Sequence, residues 1–539
     1  MISSEMLNAR REAVKQAYNC AKAENSLKFL KGDPKATQEY IFENQRVDAE
    51  NIVNEFYNNK RRVVSIAKKT KVGMDGLMIE IAHIMTTHSD DSFVIDSDNV
   101  RILTGMSNVT WAKEMKEKSP NCFKDKIFHH GQLGHANINN LQNALIIIDE
   151  IDTGDKETQV LHETLHKAGV FNIDYVTENN IRFVVVSATM TKELYHLYQW
   201  GELHYLYKMT IPENYIGHTE FLEMGIIKQY YPLENIDNCM KWVREDILEN
   251  YLNDYRVHIV RLTNDTENTI RVACLRLGVE FKIHTSAERL SVEEETELFK
   301  EQLEKHVVLG VKGFYRRANL IPNAWKVKIG ATHELWTKVV DNNVQIQGLP
   351  GRMTGYWKDI VMSGHKTGPY RTSIKAVKEY EVFFNDPFGI NNYTSSGFRK
   401  VNGKVKAKAT MLSASNIEGL VPTPLPVVED EEENEEGVDE IFDITDVYVE
   451  HKDLSTFLKG NLIEGKIIKY NSTNNEIKYD GNSVQMTEYV DKATFKQEDI
   501  YAGVAKNVTP KNIVCRIMPV LQDNQVRYVG IYNKNAFRM

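Results

Sequence analysis

Two acidic residues end the most apolar run of this chain, and they are the first candidates for chemistry. The run Leu145 to Ile148 is entirely aliphatic, and Asp149 and Glu150 follow it directly. Such a run is typical of a buried strand, and α/β folds bind ligands at the edge where these strands end. An Asp at that edge is suited to hold Mg²⁺, and a Glu to polarise an attacking water. The alternative, a hydrophobic strand that ends in two solvated acids, stays open on this pair alone.

A second strand-like run ends in hydroxyl residues. Val184 to Val186 precede Ser187, Ala188 and Thr189, about forty residues after the acidic pair. Hydroxyl groups both donate and accept hydrogen bonds, so at a sheet edge they can transmit a change in hydrogen bonding from one neighbour to another.

The two segments together resemble motifs of the superfamily 2 (DEAD/DEAH-like) helicases. Asp149-Glu150-Ile151-Asp152 resembles the family's D-E-x-[DH] box, and Ser187-Ala188-Thr189 its S-A-T motif. The resemblance implies that Asp149 is a catalytic and Mg²⁺-binding residue and that Glu150 is the catalytic carboxylate. It also implies that residues 187–189 couple the nucleotide to the nucleic acid.

A third element lies in the second half of the chain. Gln347-Gly348-Leu349-Pro350-Gly351-Arg352 resembles the family's Q-x-x-G-R element, although the spacing is one residue longer and Met353 follows where a second arginine is usual. The resemblance implies that Arg352 is an arginine finger and that Gln347 contacts the nucleotide. Gln45 stands where the family has a glutamine that reads adenine; the alternative is a surface helix residue.

The phosphate loop departs from the family pattern. The loop should lie between an expected strand, Val63 to Ala67, and an expected helix near Leu77, and it should end in Gly-Lys-Thr; this chain has Gly73, Met74 and Asp75 there. Met74 carries no charge to neutralise phosphates, and Asp75 should repel them. With Thr70 and Lys71, these residues are the predicted cofactor-binding residues of a degenerate Walker A loop. Lys68, Lys69 or Lys71 could replace the missing lysine, or could form a solvated basic turn.

Candidate nucleic-acid contacts follow two other strands. Thr104 and Gly105 come after the run VRIL and resemble the family's first-lobe contact element. Lys312, Arg316 and Arg317 follow the strand HVVLGV, in a loop that also holds Phe314 and Tyr315. Cations and aromatic rings suit phosphate neutralisation and base stacking. The alternative is a cationic surface loop whose rings pack inward.

The elements that must position these residues form two α/β series. Apolar runs alternate with helical stretches in each series, which is typical of parallel sheets covered on both faces. We predict an α/β fold with two tandem RecA-like parallel-sheet lobes, a helical N-terminal extension and a small β-rich C-terminal domain. The predicted segments are 1–38 for the extension, 39–215 for lobe 1, 216–405 for lobe 2, 406–440 for an acidic, proline-rich linker, and 441–539 for the β-rich domain.

Charge and composition limit the classes of protein to which this chain can belong. The 539 residues carry a net charge of −9, and the run Glu429 to Glu440 alone contains nine acidic residues, so the rest of the chain is formally neutral. Such a run cannot bury apolar surface, which predicts a flexible linker. The five cysteines are scattered without a C-x-x-C pair, which excludes a zinc or disulfide framework and favours a cytoplasmic or nuclear protein. We expect no membrane segment, because no apolar run approaches the ~18 residues that a span needs.

Two functions follow from these patterns. The first is a nucleic-acid-dependent helicase or translocase that uses ATP and Mg²⁺, with hydrolysis impaired by the altered loop. The second is an inactive pseudo-helicase that acts as a structural or regulatory subunit and binds DNA or RNA, or a protein partner through the linker or the C-terminal domain. Gly351-Arg352-Met353-Thr354-Gly355-Tyr356 is similar to relatives encoded by large DNA viruses and phages, so a virus-encoded protein of a host cell or virion is a further hypothesis.

Overall fold

The computed structural model covers most of the two predicted lobes and part of the C-terminal region. The residues described are 28, 31, 41–58, 61–87, 95–154, 159–300, 302–317, 321–388, 393–401, 404–424, 442–461, 467–471, 476–479, 487–488, 515–522 and 525–533. The predicted N-terminal extension and the acidic run therefore lie almost wholly outside the described residues.

The strands of lobe 1 form one parallel sheet of six strands in the order β3-β2-β4-β5-β1-β6. Every residue of β1, β2, β4 and β5 is buried, because helices cover both faces of the sheet. Alternate residues of β4 enter opposite cores: Ile146 and Ile148 pack into one, Leu145 and Ile147 into the other. The strands are β1 (Val63–Ala67), β2 (Val100–Thr104), β3 (Ile127–Phe128), β4 (Ala144–Asp149), β5 (Ile181–Ser187) and β6 (His204–Lys208).

Helices connect the strands of lobe 1. Parallel strands all start at the same edge of the sheet, so the chain must cross back to that edge after each strand. The helices are α1 (Glu43–Asn58), α2 (Met74–Thr87), α3 (Val109–Lys118), α4 (Val160–Lys167), α5 (Ile173–Glu178) and α6 (Thr191–Leu197), with 3-10 segments at Ser97–Asn99, Asn121–Lys126, His130–His135 and Tyr198–Leu203.

Lobe 2 repeats the architecture with a second parallel sheet of six strands, in the order β7-β12-β11-β8-β10-β9. The predicted fold class, two tandem RecA-like parallel-sheet lobes, is confirmed by the two sheets. The strands are β7 (Ile227–Gln229), β8 (Val257–Arg261), β9 (Glu280–His284), β10 (Val307–Val311), β11 (Ile329–His333) and β12 (Tyr370–Thr372).

The helices of lobe 2 include a π-helical segment, Val243–Glu249, that continues one of them. They are α7 (His218–Glu223), α8 (Ile236–Trp242), α9 (Asn264–Arg276), α10 (Val292–Lys300), α11 (Asn323–Lys326), α12 (Asn342–Ile346), α13 (Leu349–Met353), α14 (Lys358–Met362) and α15 (Ile374–Asn385). Two short strands, β13 (Phe398–Val401) and β14 (Lys404–Ala407), and a 3-10 turn, Ala414–Asn416, come after them.

The first part of the segment predicted as a linker, residues 406–440, packs on lobe 1. Trp200 donates its indole N–H to the carbonyl of Leu412 at 2.9 Å. The amide of Thr423 donates to the carbonyl of Gln199 at 2.8 Å. Met411 is fully buried in the core of lobe 1. The sequence interpretation missed this because the buried residues Met411, Leu412 and Ile417 lie in a short stretch without strand or helix periodicity.

The C-terminal region contains a four-stranded sheet in the order β15-β20-β19-β18 and a separate hairpin. In this hairpin Ile467–Asn471 pairs antiparallel with Glu476–Tyr479, and the turn between them lies outside the described residues. The elements are β15 (Phe442–Ile444), α16 (His451–Gly460), β16 (Ile467–Asn471), β17 (Glu476–Tyr479), β18 (Thr487–Glu488), β19 (Cys515–Gln522) and β20 (Gln525–Asn533).

Within the described ranges, none of the helices has the length and hydropathy that crossing a bilayer requires.

Candidate nucleotide cleft

The acidic pair lies at the carboxyl edge of β4, where its side chains are held by neighbours from the same lobe. Asp149 accepts a hydrogen bond at Oδ2 from the indole N–H of Trp111 at 2.9 Å and at Oδ1 from the amide of Glu150 at 3.0 Å. Glu150 has a φ of +51°, in the left-handed region that non-glycine residues rarely adopt. Backbone strain of this kind concentrates at functional sites, where the surroundings enforce it.

Lys68, at the end of β1, points its ammonium at the acidic pair. Its Nζ lies 3.4 Å from Glu150 Oε1 and 3.8 Å from Asp149 Oδ1. Burial alone would lower the pKa of Lys68, but the two carboxylates raise it above the ordinary value. Burial also raises the pKa of Asp149 to about 7, against the lowering effect of Lys68. Lys68 is therefore not part of a solvated basic turn, the alternative left open by the sequence.

The phosphate loop is shaped by Gln45. The side-chain amide of Gln45 donates to the carbonyls of Gly73 at 2.7 Å and Val72 at 3.3 Å, and its Oε1 accepts from the amide of Phe42 at 2.9 Å. Gly73 has a φ of +86°, and a Cβ added there would lie 2.3 Å from Gln45 Nε2. Both ends of the Gln45 side chain are thus engaged by the protein. The predicted adenine contact stays a prediction, and the structure gives Gln45 a loop-holding role.

Met74 and Asp75 begin helix α2. Met74 is 5% exposed and belongs to the apolar core of lobe 1. Asp75 pairs with Lys118 at 2.7 Å, and although burial alone would raise the pKa of Asp75, Lys118 holds it below the ordinary value. Because Lys118 neutralises this carboxylate, the repulsion of phosphates expected from Asp75 is reduced.

The hydroxyl residues connect the acidic pair to lobe 2. Ser187 donates to Glu150 Oε2 at 3.3 Å, and Thr189 donates to Asp152 Oδ2 at 2.9 Å. From lobe 2, the Gln347 amide reaches Thr189 Oγ1 at 3.3 Å and Glu150 Oε2 at 3.5 Å. Gln347 Oε1 in turn accepts from Arg352 at 3.0 Å. The sequence-predicted carboxylate, hydroxyl, glutamine and arginine residues are therefore brought together, with Ala188 in the same wall.

Arg317, predicted to contact nucleic acid, reaches into this cluster instead. Its guanidinium donates to Asp152 Oδ1 at 2.8 Å and Thr153 Oγ1 at 2.7 Å, and lies 3.6 Å from Glu150 Oε2. Two buried carboxylates and one hydroxyl group therefore hold this guanidinium in the structure, and its predicted contact with nucleic acid stays a prediction. Asp152 keeps a pKa below its ordinary value, since Arg317 outweighs the effect of burial.

Of the other four residues that were predicted to contact nucleic acid, two are buried and two are exposed. Thr104 and Gly105 are buried, and a Cβ at Gly105 would lie 2.0 Å from the carbonyl of Thr153, so neither presents a side chain at the surface. Lys312 and Arg316 are exposed. In the same loop Tyr315 is buried and donates to Glu295, which matches the inward-packing alternative for that ring.

A buried ion pair in lobe 2 holds the two segments that carry Arg317 and Arg352. Arg261 contacts Glu334 Oε1 at 3.1 Å and donates to the carbonyl of Tyr315 at 3.0 Å. Glu334 Oε2 accepts from the amide of Leu349, the first residue of α13, at 2.7 Å. Burial alone would raise the pKa of Glu334, but Arg261 and the backbone amides hold it below the ordinary value.

Residues from both lobes line a cavity of about 340 Å³, and they include Asp149, Glu150 and Arg352. The cavity is also lined by Phe42 and Tyr356, whose ring centroids are 4.4 Å apart. Tyr356 donates to the carbonyl of Val72 at 2.6 Å, and Thr354 Oγ1 lies 2.9 Å from Thr70 Oγ1, so the phosphate loop contacts lobe 2 directly. An aromatic pair, a phosphate-type loop and an acidic pair are the parts that a nucleotide site needs.

Comparison with known proteins gives structural similarity without sequence relatives. No family model matches the chain, and no curated protein matches it. A Dbp5 variant of S. cerevisiae bound to a Gle1 variant and IP6 is 14% identical over 64% of this chain and 87% of its own, with a TM-score of 0.35. The DEAD-box helicase Mss116 bound to ssRNA and UDP-BeF is 11% identical over 64% and 73%, with a TM-score of 0.39. A DEAD box protein from Methanococcus jannaschii is 13% identical over 63% and 90%, with a TM-score of 0.32.

The donors at the acidic pair fit a divalent cation. Mg²⁺ prefers carboxylate oxygens, and the Lys68 ammonium between Asp149 and Glu150 shows that a positive charge is favoured at this position. No group of three or more His, Cys, Asp or Glu residues suited to a metal occurs in the part of the chain that the structure describes. Asp149 is the residue whose carboxylate would hold such an ion, and the ion would supply positive charge at this edge of the sheet.

Four contributors to the cleft were missed or undervalued by the sequence analysis: Lys68, Arg261, Glu334 and Tyr356. A signal existed for three of them. Lys68, Arg261 and Glu334 are charged residues at or just past the end of a buried strand, which is the criterion that selected Asp149. The role of Tyr356 depends on the contact of its ring with that of Phe42, and no spacing rule predicts that contact.

Proposed function

We propose that this chain is a superfamily 2 helicase-like, nucleic-acid-binding protein that binds ATP between its lobes and hydrolyses it slowly. One observation carries the proposal. Glu150 is contacted by Lys68 and Ser187 from lobe 1 and by Gln347 and Arg317 from lobe 2. A carboxylate touched by both lobes in a cleft is suited to linking lobe closure to chemistry at that carboxylate.

Glu150 is the residue we assign to positioning and deprotonating the attacking water. Lys68 lies beside Oε1 of this carboxylate and Arg317 beside Oε2, so both cations must move away before a water molecule can reach it. Gln347 and Ser187 orient its Oε2, and Arg352 supplies positive charge toward the transferred phosphate. Mg²⁺, when bound, would be held by Asp149 and would neutralise phosphate charge.

The altered loop is the reason to expect slow turnover. A phosphate-loop lysine compensates charge on the β- and γ-phosphates, and Met74 provides none. Its side chain lies in the apolar core, so it has no polar role at the phosphates. Loss of one such charge commonly costs several orders of magnitude in rate, as loss of an arginine finger does, at about 10³–10⁵ in kcat.

The nucleic-acid partner, DNA or RNA, is part of this proposal. The exposed cations Lys312 and Arg316 are the candidate phosphate contacts on lobe 2. A protein partner at the C-terminal domain or the acidic linker, a cytoplasmic or nuclear location, and a viral or phage source are also proposals, and they rest on sequence alone.

A non-hydrolysing scaffold is the second candidate, and the Lys68 contact favours it. An ammonium 3.4 Å from Glu150 and 3.8 Å from Asp149 occupies the region where a divalent ion and an attacking water would have to act. If this ion pair persists with ATP bound, the cleft would bind nucleotide without turning it over.

The test is ATP binding and turnover by the purified chain, with and without single- and double-stranded DNA and RNA. Glu150→Gln removes the proposed base, and Glu178→Gln, at an exposed position on α5, is the matched control. Turnover that nucleic acid stimulates, that Glu150→Gln abolishes and that Glu178→Gln retains would support the enzyme. ATP binding without turnover would support the scaffold. Absence of ATP binding would refute the proposed function.

A further inference from the structure

The cleft contains two lysines that are not neutralised by the carboxylates around them. Lys68 pairs with the acidic pair, Lys118 with Asp75, and Arg317 with Asp152. Lys71 and Lys326 line the same cavity, and within the described residues no carboxylate oxygen lies within 4.0 Å of either ammonium. Lys71 belongs to the phosphate loop of lobe 1, and Lys326 ends helix α11 of lobe 2.

Lys326 sits in a socket made of neutral acceptors. It is 1% exposed, and its Nζ donates to the carbonyl of Thr354 at 2.6 Å and to Asn323 Oδ1 at 2.8 Å. Gly355 makes room for it, because a Cβ at that glycine would lie 2.9 Å from the ammonium. An ammonium has three donor hydrogens, so two acceptors leave one for a ligand.

Lys71 approaches the same place from the opposite lobe. Its φ is +54°, an uncommon conformation for a lysine, and the residue lines the cavity. A Cβ added to Gly355 would lie 2.9 Å from Lys326 Nζ and 3.9 Å from the carbonyl oxygen of Lys71. Lys71, Gly355 and Lys326 are therefore neighbours across the gap between the lobes.

Both lysines are held in an environment that disfavours their charge. Burial, with Arg352 as the next cause, lowers the pKa of Lys326 to about 7 and that of Lys71 well below its ordinary value. The other charged groups that line the same cavity come from both lobes and are Lys68, Asp75, Glu114, Lys118, Asp149, Glu150, Arg317 and Arg352. Buried, unpaired cations are costly unless an anion arrives to compensate them.

We propose that Lys71 and Lys326 form a cation pair, one from each lobe, that binds the phosphate groups of a nucleoside triphosphate in place of the missing loop lysine. The inference rests on the proposed nucleotide cleft and adds the residues that supply its positive charge. Because the pair spans the gap, the anion holds the two lobes together, and each lysine alone provides only part of the compensation.

The experiment measures binding of ATP and of inorganic tripolyphosphate to the full chain by titration calorimetry. The variants are Lys326→Met and Lys71→Met, which keep length without charge, and the matched control is Lys328→Met, at an exposed position just after Lys326. We expect each cleft variant to bind both ligands roughly 10- to 100-fold more weakly, since a charge-assisted hydrogen bond is lost. Lys328→Met should bind like the wild type.

A second readout needs no variant. Binding an anion should restore the charge on Lys326, so wild-type binding at pH 8 should take up protons, and affinity should fall as pH rises from 7 to 9. Proton uptake is measured by repeating the titration in buffers of different ionisation enthalpy, which also serves if a variant fails to fold. Two results would overturn the cation pair and leave the proposed function standing. The first is wild-type binding without proton uptake, and the second is an affinity that is unchanged in both cleft variants. A wild type that binds neither ATP nor tripolyphosphate would end both.

Discussion

Replacement of Arg261 by Met should damage both the stability of lobe 2 and the nucleotide cleft. Arg261 and Glu334 are almost fully buried, with the Arg261 Nε 3.1 Å from Glu334 Oε1. Arg261 also holds the carbonyls of Phe314 and Tyr315, while Glu334 holds the amide of Leu349. The variant therefore leaves a buried carboxylate without its cation and releases the loop that leads to Arg317.

The expected decrease in the free energy of unfolding follows from the loss of the Arg261 charge. Breaking a buried pair by removing one partner costs about 3–5 kcal/mol, because the remaining charge is uncompensated. Domains are stable by only about 5–15 kcal/mol, so this is a large share of the stability of lobe 2. Removing the second charge as well, in Arg261→Met/Glu334→Gln, should recover part of the loss, so that the two substitutions are not additive.

The assay combines urea unfolding with ATP affinity. Arg371→Met is the matched control, because Arg371 makes a comparable pair with Asp246 at 2.5 and 2.8 Å in the same lobe, and its third hydrogen bond goes to the carbonyl of Gln229 rather than to the loop of Arg317. We expect both single variants to unfold at lower urea, and only Arg261→Met to lose ATP affinity under conditions where the protein is folded. Equal ATP affinity in the two variants, or a loss of stability below about 1 kcal/mol for Arg261→Met, would refute the reasoning.

Three further predictions address the loop, the packed segment and the response to acid. Gly73→Ala should destabilise lobe 1 by about 1–3 kcal/mol in urea unfolding, because alanine is strained at a φ of +86° and its Cβ would meet Gln45. Met411→Ala should cost about 2–5 kcal/mol in the same assay, whereas Val421→Ala, at an exposed position, should cost almost nothing; equal effects would mean that the segment does not pack. The titration of buried histidines should leave the free energy of unfolding unchanged above pH 6.5. Between pH 6.5 and 3 this free energy should fall as pH falls, by about 1.4 kcal/mol per pH unit for each buried histidine. The reason is that the histidines of the unfolded chain take up protons in this range, whereas the buried ones do not. A urea midpoint that stays constant between pH 6.5 and 5 would contradict this, since burial lowers the folded-state pKa to about 3 in His204, His218 and His333.

The sequence by itself determined the sheets and the candidates at one edge of them. Runs such as Leu145 to Ile148 are buried on both faces, and their alternation with helical stretches is typical of a parallel sheet between helices, so this pattern predicted the fold class. Parallel strands end at a common edge, and for that reason Asp149, Glu150, Ser187 and Thr189 could be placed together in advance.

Only the tertiary structure decided how the charges of the cleft are paired. Lys68 and Glu150 are 82 residues apart, and Arg317 and Asp152 are separated by 165. A lysine or arginine side chain is long and flexible, and its partner is chosen by the electrostatic field of every group within reach, which depends on how the lobes meet. Local pattern carries no information about that field. For this reason the sequence identified a missing lysine, while the placement of Lys71 and Lys326 on opposite sides of the same cavity emerged only from the folded chain.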